Sequence, residues 1–368
     1  MAMATERTTD AAPVLVFPAG MPRALEYLAR CRRQGVAVVG SSSLRFDPAR
    51  EHYDRWLWLP YVNQPGFDGA LGEALAGLGV GGVYTPNPVV WNHLHVALPR
   101  IAPGVTLLND SPVEEMLAGY RAAQARARAV RECPLPLAAA GAEQALPSET
   151  ELAALFRHVE TIPGMCDHSK IAALCTVARH APRGDLVEIG SWWGKSAFLL
   201  AWLARLHGIG RLLCVDPWAN AHLVQHDATG QVDTGSAGVD ADEALAVFEI
   251  NLLPYAAGHI NYLRLPSVDA ARRYREQAVV TTAAFGTTDY EGYIAVLHID
   301  GNHAPEAVSA DVDAWTGLVT SCGWIVFDDY IWPFGDGPQR AGDAFLARHR
   351  EEIACAFVMG GALFVQLA

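Results

Sequence analysis

Lysine is almost absent from this chain: only Lys170 and Lys195 occur among 368 residues, so arginine supplies nearly all the positive charge. We read that bias as genomic composition rather than chemistry. Basic residues are outnumbered, 27 against 40 acidic ones, for a formal net charge of −13. Neither a nucleic-acid nor an anionic-membrane partner is expected, because each requires a clustered basic face. Paired cysteines are missing too. The seven cysteines (Cys31, Cys133, Cys166, Cys175, Cys214, Cys322 and Cys355) show no CxxC and no zinc-type spacing, so they read as reduced core residues. There is no charged-then-apolar leader and no apolar run of about 18 residues. A soluble, cytoplasmic protein is the expectation. A Walker-type phosphate loop and internal repeats are also absent.

What is present is globular. With 51% hydrophobic and 18% charged residues the chain has apolar material for two packed sheets, and its length favours two domains. Strand and helix patterns alternate, which implies an α/β architecture with parallel sheets. Val14–Phe17, Val36–Val39, Trp56–Leu59 and Gly82–Thr85 read as strands, with helices over 21–34 and 67–78 between them. A long helix is expected over 112–130. Residues 1–132 thus form a small Rossmann-type domain, 133–148 a linker rich in proline and alanine, and 149–368 a second domain. Ser148 and Glu151 predict a capping box for a helix through residue 158. Strands are then expected near 185–189, 211–215, 260–264, 294–299, 323–327, 355–358 and 362–367. These make a doubly wound seven-stranded sheet ending in an antiparallel hairpin at Gly360-Gly361. Residues 219–243, rich in Gly, Asp, Thr and Ser, are too long for a plain connection and read as a binding loop carrying His222 and His226.

Two segments carry the chemistry. In Leu186-Val187-Glu188-Ile189-Gly190-Ser191-Trp192-Trp193-Gly194-Lys195-Ser196 a buried strand turns into a helix at two glycines. Glycine admits positive φ and close ligand approach, and the new helix offers free N–H groups to a carboxylate. Asp216, ending the next strand, can accept hydrogen bonds from ribose hydroxyls. Lys195 either bonds the cofactor carboxylate or stands solvated on its helix, and Trp192 and Trp193 either pack on the cofactor or fill the rim.

The second segment is Leu297-His298-Ile299-Asp300-Gly301-Asn302-His303 with Ile325-Val326-Phe327-Asp328-Asp329-Tyr330. Asp300, Asp328 and Asp329 stand at the carboxyl ends of two strands, where doubly wound sheets bind ligands. Three carboxylates this close repel one another without a cation, and oxygen donors suit Mg²⁺. His303 is the candidate general base beside Asp300. His298, inside its strand, reads as a hydrogen-bonded core histidine, and Tyr330 and Trp332 as acceptor wall or packing.

Thr161-Ile162-Pro163-Gly164-Met165, the glycine segment 187–196 and Val215-Asp216-Pro217-Trp218 resemble the class I S-adenosylmethionine-dependent methyltransferases. The chain is most similar to small-molecule and sugar O-methyltransferases over roughly residues 150–368. The resemblance implies S-adenosylmethionine as cofactor, with Glu188 and Gly190 beside its methionine part and Asp216 on the ribose. It places Ser267-Val268-Asp269 near the adenine, although the usual Gly-Asp-Ser step is replaced here by Leu265-Pro266-Ser267. The cofactor set is then Glu188, Gly190, Ser191, Gly194, Lys195, Ser196, Asp216, Ser267 and Asp269. The same resemblance strengthens Asp300, Asp328 and Asp329 as ligands of a divalent cation, Mg²⁺, with Asp300 and His303 catalytic.

Residues 13–110 resemble the nucleotide-fold domain preceding ATP-grasp modules only in the strand–helix rhythm and the opening Val14-Leu15-Val16-Phe17-Pro18-Ala19-Gly20, and Ser41-Ser42-Ser43 meets a phosphate or forms a polar turn. That domain is expected to serve dimerisation or acceptor recognition. Methyl transfer to a hydroxyl of a natural-product-like metabolite is the leading expectation. An N- or C-methylating or non-methylating enzyme of the same fold stays open, as does a non-catalytic nucleotide-binding protein.

Overall fold

The computed structural model describes residues 12–132, 134–141, 143–227, 230–233 and 238–368, with the side chains of 224–233 left aside. It divides into two compact units, 1–121 and 122–368. The division falls inside a long helix.

The first unit is built from β1 (Val14–Val16), α1 (Pro22–Arg33), β2 (Val38–Ser42), β3 (Arg55–Trp58), α2 (Phe67–Leu78), β4 (Gly82–Tyr84), α3 (Pro88–Ile101) and β5 (Thr106–Leu107). Its five strands are all parallel, in the order β3-β2-β1-β4-β5. The second strand starts two residues later than its valine run predicts. Val38 pairs with Val14, so Ser41 and Ser42 lie inside the strand rather than after it. α4 (Pro112–Glu132) crosses the boundary between units.

The second unit continues with α5 (Glu149–Val159), α6 (His168–His180), β6 (Asp185–Ile189), α7 (Lys195–His207), β7 (Leu212–Val215), β8 (Val224–Asp227) and β9 (Gly230–Asp233). There follow α8 (Ala241–Ala256), β10 (Ile260–Leu263), α9 (Ser267–Glu276), β11 (Val279–Thr282), β12 (Gly286–Asp289), β13 (Ile294–Ile299), α10 (Pro305–Trp315), β14 (Val319–Phe327), α11 (Gly337–Arg348), β15 (Ile353–Met359) and β16 (Ala362–Leu367). The expected capping box closes α5: Ser148 Oγ accepts the Glu151 N–H and Glu151 accepts the Ser148 N–H. Residues 134–141 form no element, yet Ala140 exchanges two hydrogen bonds with the Gln366 side chain.

The main sheet runs β10-β7-β6-β13-β14-β16-β15, with β16 antiparallel to its neighbours. This is a doubly wound, Rossmann-like α/β fold. Strands β6, β7 and β13 are buried throughout, because helices cover both faces of a parallel sheet and leave no solvent side for polar residues. Glu188 and His298 break that rule in adjacent register on β6 and β13. The β11–β12 hairpin has no apolar alternation to announce it. It is fastened by the buried Asn261 side chain, which donates to the carbonyls of Val280 and Gly286. No helix among the described residues is long and apolar enough to cross a membrane.

Candidate active site

The carboxyl ends of β6, β7, β13 and β14 open onto a cavity of about 420 Å³, within the usual range for small-molecule sites. One wall is the turn from β6 to α7. Gly190 and Gly194 adopt φ of +84° and +88°, and a Cβ on Gly190 would lie 1.9 Å from the Asp300 carbonyl oxygen. Only glycine lets the β6 turn pass so close to the end of β13. No side chain caps α7, so its first-turn N–H groups remain for a ligand.

Asp216 follows β7 and is nearly buried. Its carboxylate accepts the backbone N–H of Trp192 at 3.1 Å and that of Trp218 at 2.8 Å. Both tryptophans take left-handed backbone conformations, φ 43° and 36°, which for bulky residues signals strain held by the surroundings. Burial raises the Asp216 pKa, with those N–H bonds opposing. Its remaining lone pairs suit a diol.

The structure sorts the other expected cofactor residues. Ser191, Lys195, Ser196 and Ser267 line the cavity. Lys195 donates from Nζ to the Gly164 carbonyl, and Ser267 accepts from Trp315 Nε1. Trp192, Trp193 and His222 line it as well, while the His226 side chain lies outside the described residues. Two expected residues lie elsewhere. Asp269 does not line the cavity: its half-exposed carboxylate meets Arg272 at 3.3 Å on α9, because the helix turns that position outward. Glu188 lies beneath the floor, fully buried, with Oε1 3.2 Å from His298 Nδ1.

The three aspartates divide in the same way. Asp300 and Asp329 line the cavity together with His303, whose Nε2 is 3.7 Å from Asp300 Oδ1 and 3.4 Å from Asp329 Oδ2. Ligand atoms of these three lie within 4.8 Å of one another. Asp328 turns inward instead. Its Oδ2 accepts from Lys170 Nζ at 2.5 Å and from His298 Nε2 at 3.1 Å, and its Oδ1 accepts the Asp329 N–H at 2.9 Å. Of the three expected carboxylates, Asp300 and Asp329 thus line the wall with His303, while Asp328 lies off it, with ligand atoms of Asp328, Asp300 and His298 also within 4.8 Å of one another. β14 ends at Phe327, and Asp329 takes a left-handed φ of 50° in the turn that follows, which parts its carboxylate from that of Asp328.

Electrostatics follow from this geometry. Burial, reinforced by the Asp328 charge, pushes Asp300 up to about 7. Burial alone would depress His303, but Asp300 and then Asp329 outweigh it and raise the imidazole. His298 is likewise lifted to about 10 by Asp328 and Glu188 against its burial. Burial opposes ionisation of Asp328, yet Lys170 and His298 hold it well below the usual carboxylate range. Lys170 was not among the residues expected here; its only sequence signal was its rarity.

For a cation the donor set fits: two carboxylates on the cavity wall supply the oxygens that Mg²⁺ prefers, and an adjacent imidazole is also compatible with Mn²⁺. For a nucleoside cofactor the uncapped helix end and Asp216 fit a carboxylate and a ribose respectively.

Residues 187–330 match the family described as a methyltransferase domain. No curated protein matches the chain. Among solved structures it is similar to the O-methyltransferase NovP at 20% identity, covering 51% of this chain and 73% of that one, with a TM-score of 0.35. CalS11, a calicheamicin methyltransferase, is 15% identical over 70% of this chain and 94% of its own, with a TM-score of 0.39. The S-adenosylhomocysteine-bound methyltransferase PaMTH1 of Podospora anserina is 13% identical over 71% and 97%, with a TM-score of 0.33.

Proposed function

We propose that this chain, which carries a methyltransferase domain over residues 187–330, moves the methyl group of S-adenosylmethionine onto a hydroxyl oxygen of a small metabolite. One observation carries the reading. Asp300, His303 and Asp329 converge on the wall of the same cavity that Asp216 and the Gly190–Gly194 turn line.

The chain's own residues divide the work. Asp216 orients the ribose, and the α7 N-terminus meets the cofactor's carboxylate. Ser267 and Val268 close the adenine side. A hydroxyl is a poor nucleophile near neutrality, so its proton must be taken as it attacks. His303 receives that proton at Nε2, and Asp300 and Asp329 stabilise the resulting imidazolium. Asp300 and Asp329 would hold a divalent cation, Mg²⁺ or Mn²⁺, whose positive charge favours the ionised form of an oxygen nucleophile. The mostly apolar cavity, walled by Trp192 and Trp218, keeps water from competing for the methyl group. The six described cysteines are free thiols, in keeping with a cytoplasmic setting.

The test is formation of S-adenosylhomocysteine with a panel of hydroxylated metabolites, before and after chelation and with Mg²⁺ restored. Cofactor binding with turnover indifferent to chelator removes the cation from the reading. Failure to bind S-adenosylmethionine by calorimetry removes the whole.

A further inference from the structure

Lys170 sits in the first turn of α6, where a cation is unfavourable beside the helix's positive end, so helix stability does not account for it. Its ammonium is almost wholly buried and meets Asp328 Oδ2 at 2.5 Å and the Met165 carbonyl at 3.4 Å. Its backbone is wedged: a Cβ on Gly360, in the β15–β16 turn, would lie 2.4 Å from the Lys170 nitrogen. The same turn reaches the far side of the acidic pair, since Ile331 donates its N–H to the Gly361 carbonyl at 2.8 Å.

Between these supports Asp328 has no freedom. Lys170 and His298 fix Oδ2, the Asp328 N–H donates to the Ile299 carbonyl, and Oδ1 is left for the N–H of Asp329. Asp329 needs that bond. Its φ of 50° is left-handed, a conformation uncommon outside glycine that the surrounding hydrogen bonds must hold. That conformation aims the Asp329 carboxylate at His303 and the cavity.

Building on the cation site proposed above, we infer that Lys170 is a positioning residue: through Asp328 it holds the Asp329 turn in the conformation that binds the cation. Arginine does not substitute for it. The Asp328 niche takes a compact ammonium, and a planar guanidinium fork would displace the carboxylate even though the charge is kept.

The experiment uses the full chain and Mn²⁺ as probe. Mn²⁺ affinity by electron paramagnetic resonance, S-adenosylmethionine affinity by calorimetry and thermal melting are measured for the wild type, Lys170→Arg and Lys170→Met. Both variants are expected to lose about 10- to 100-fold in Mn²⁺ affinity, the usual effect of removing a group that orients a ligand. Cofactor affinity is expected to stay within about twofold, since the hydrogen bonds of the Lys170 ammonium go to Asp328 and the Met165 carbonyl. Lys170→Arg, keeping the charge, melts closer to the wild type, which separates cation binding from stability. A folded variant that binds Mn²⁺ like the wild type overturns the inference. Should neither variant fold, hydrogen exchange in the wild type decides: the Asp329 amide must be protected in the metal-free protein, and rapid exchange there overturns it. A wild type that binds no Mn²⁺ removes the cation site itself, and this inference with it.

Discussion

The two units present the same kind of edge, the carboxyl ends of a parallel sheet, and fill it differently. In the first unit the serines and the asparagine there are spoken for by backbone. Ser41 Oγ donates to the Val16 carbonyl, Ser43 Oγ to that of Pro60, and Ser42 Oγ accepts the Leu44 N–H. The Asn109 side chain bridges the N–H and carbonyl of Thr85. In the second unit Asp216, Asp300 and Asp329 stand at the corresponding ends and line a cavity. One architecture thus serves as scaffold in one place and site in another, and the difference lies in whether strand-end side chains are consumed by the fold.

Substitutions can break or sharpen that contrast. Gly190→Ala is expected to have the largest effect, since the new Cβ would meet the Asp300 carbonyl at 1.9 Å with φ at +84°. We expect a loss of more than about 4 kcal/mol, against about 1 kcal/mol for Gly66→Ala, whose positive φ faces open space. Denaturant melts of both variants decide, and equal losses would erase the distinction between the two edges.

Next comes Asp216→Ala. On the proposed reading Asp216 accepts two ribose hydroxyls, so its removal is expected to weaken S-adenosylmethionine binding by about 2–3 kcal/mol, while Asn109→Ala leaves it unchanged. Calorimetry on the two variants measures this directly.

Asp311, buried on the cavity side, gives a pH signature of similar or smaller size. Burial raises its pKa to about 6, with a Ser267 hydrogen bond opposing. The folded value lies above the unfolded one, so wild-type stability is lost as pH rises from about 4 through 6. Asp311→Asn is expected to gain up to about 2–3 kcal/mol at pH 8 and little at pH 4. Thermal melts across that window that run parallel for both proteins would refute this. Smallest is Ser41→Ala, expected to cost about 1 kcal/mol of stability with no change in cofactor affinity. A measurable loss of binding there would make the first unit's edge part of the site.

Much of the second unit was legible because central parallel strands are short apolar runs bounded by turn residues. β6, β7, β13 and β16 fall within a residue of their expected bounds. The glycine turn and Asp216 were legible because glycine and a strand-end carboxylate announce themselves locally. Three things were not. The start of β14 hides in a register irregularity between β13 and β14, with Cys322 at φ 60°. The inward turn of Asp328 against the outward one of Asp329 depends on a partner 158 residues away. Glu188, expected beside the cofactor, instead meets His298 across a strand pair 110 residues apart, a register that no local pattern encodes.

That pairing has an evolutionary reading. Glu188, His298, Asp328 and Lys170 form a chain of alternating sign whose formal charges cancel, all of it shut away from water. Deleting any one member strands an uncompensated charge in the interior, at a cost of about 3–5 kcal/mol. Single steps that remove a charge from this arrangement are therefore costly, and coupled replacements less so. Exchanging these positions in concert would avoid stranding a charge at any step.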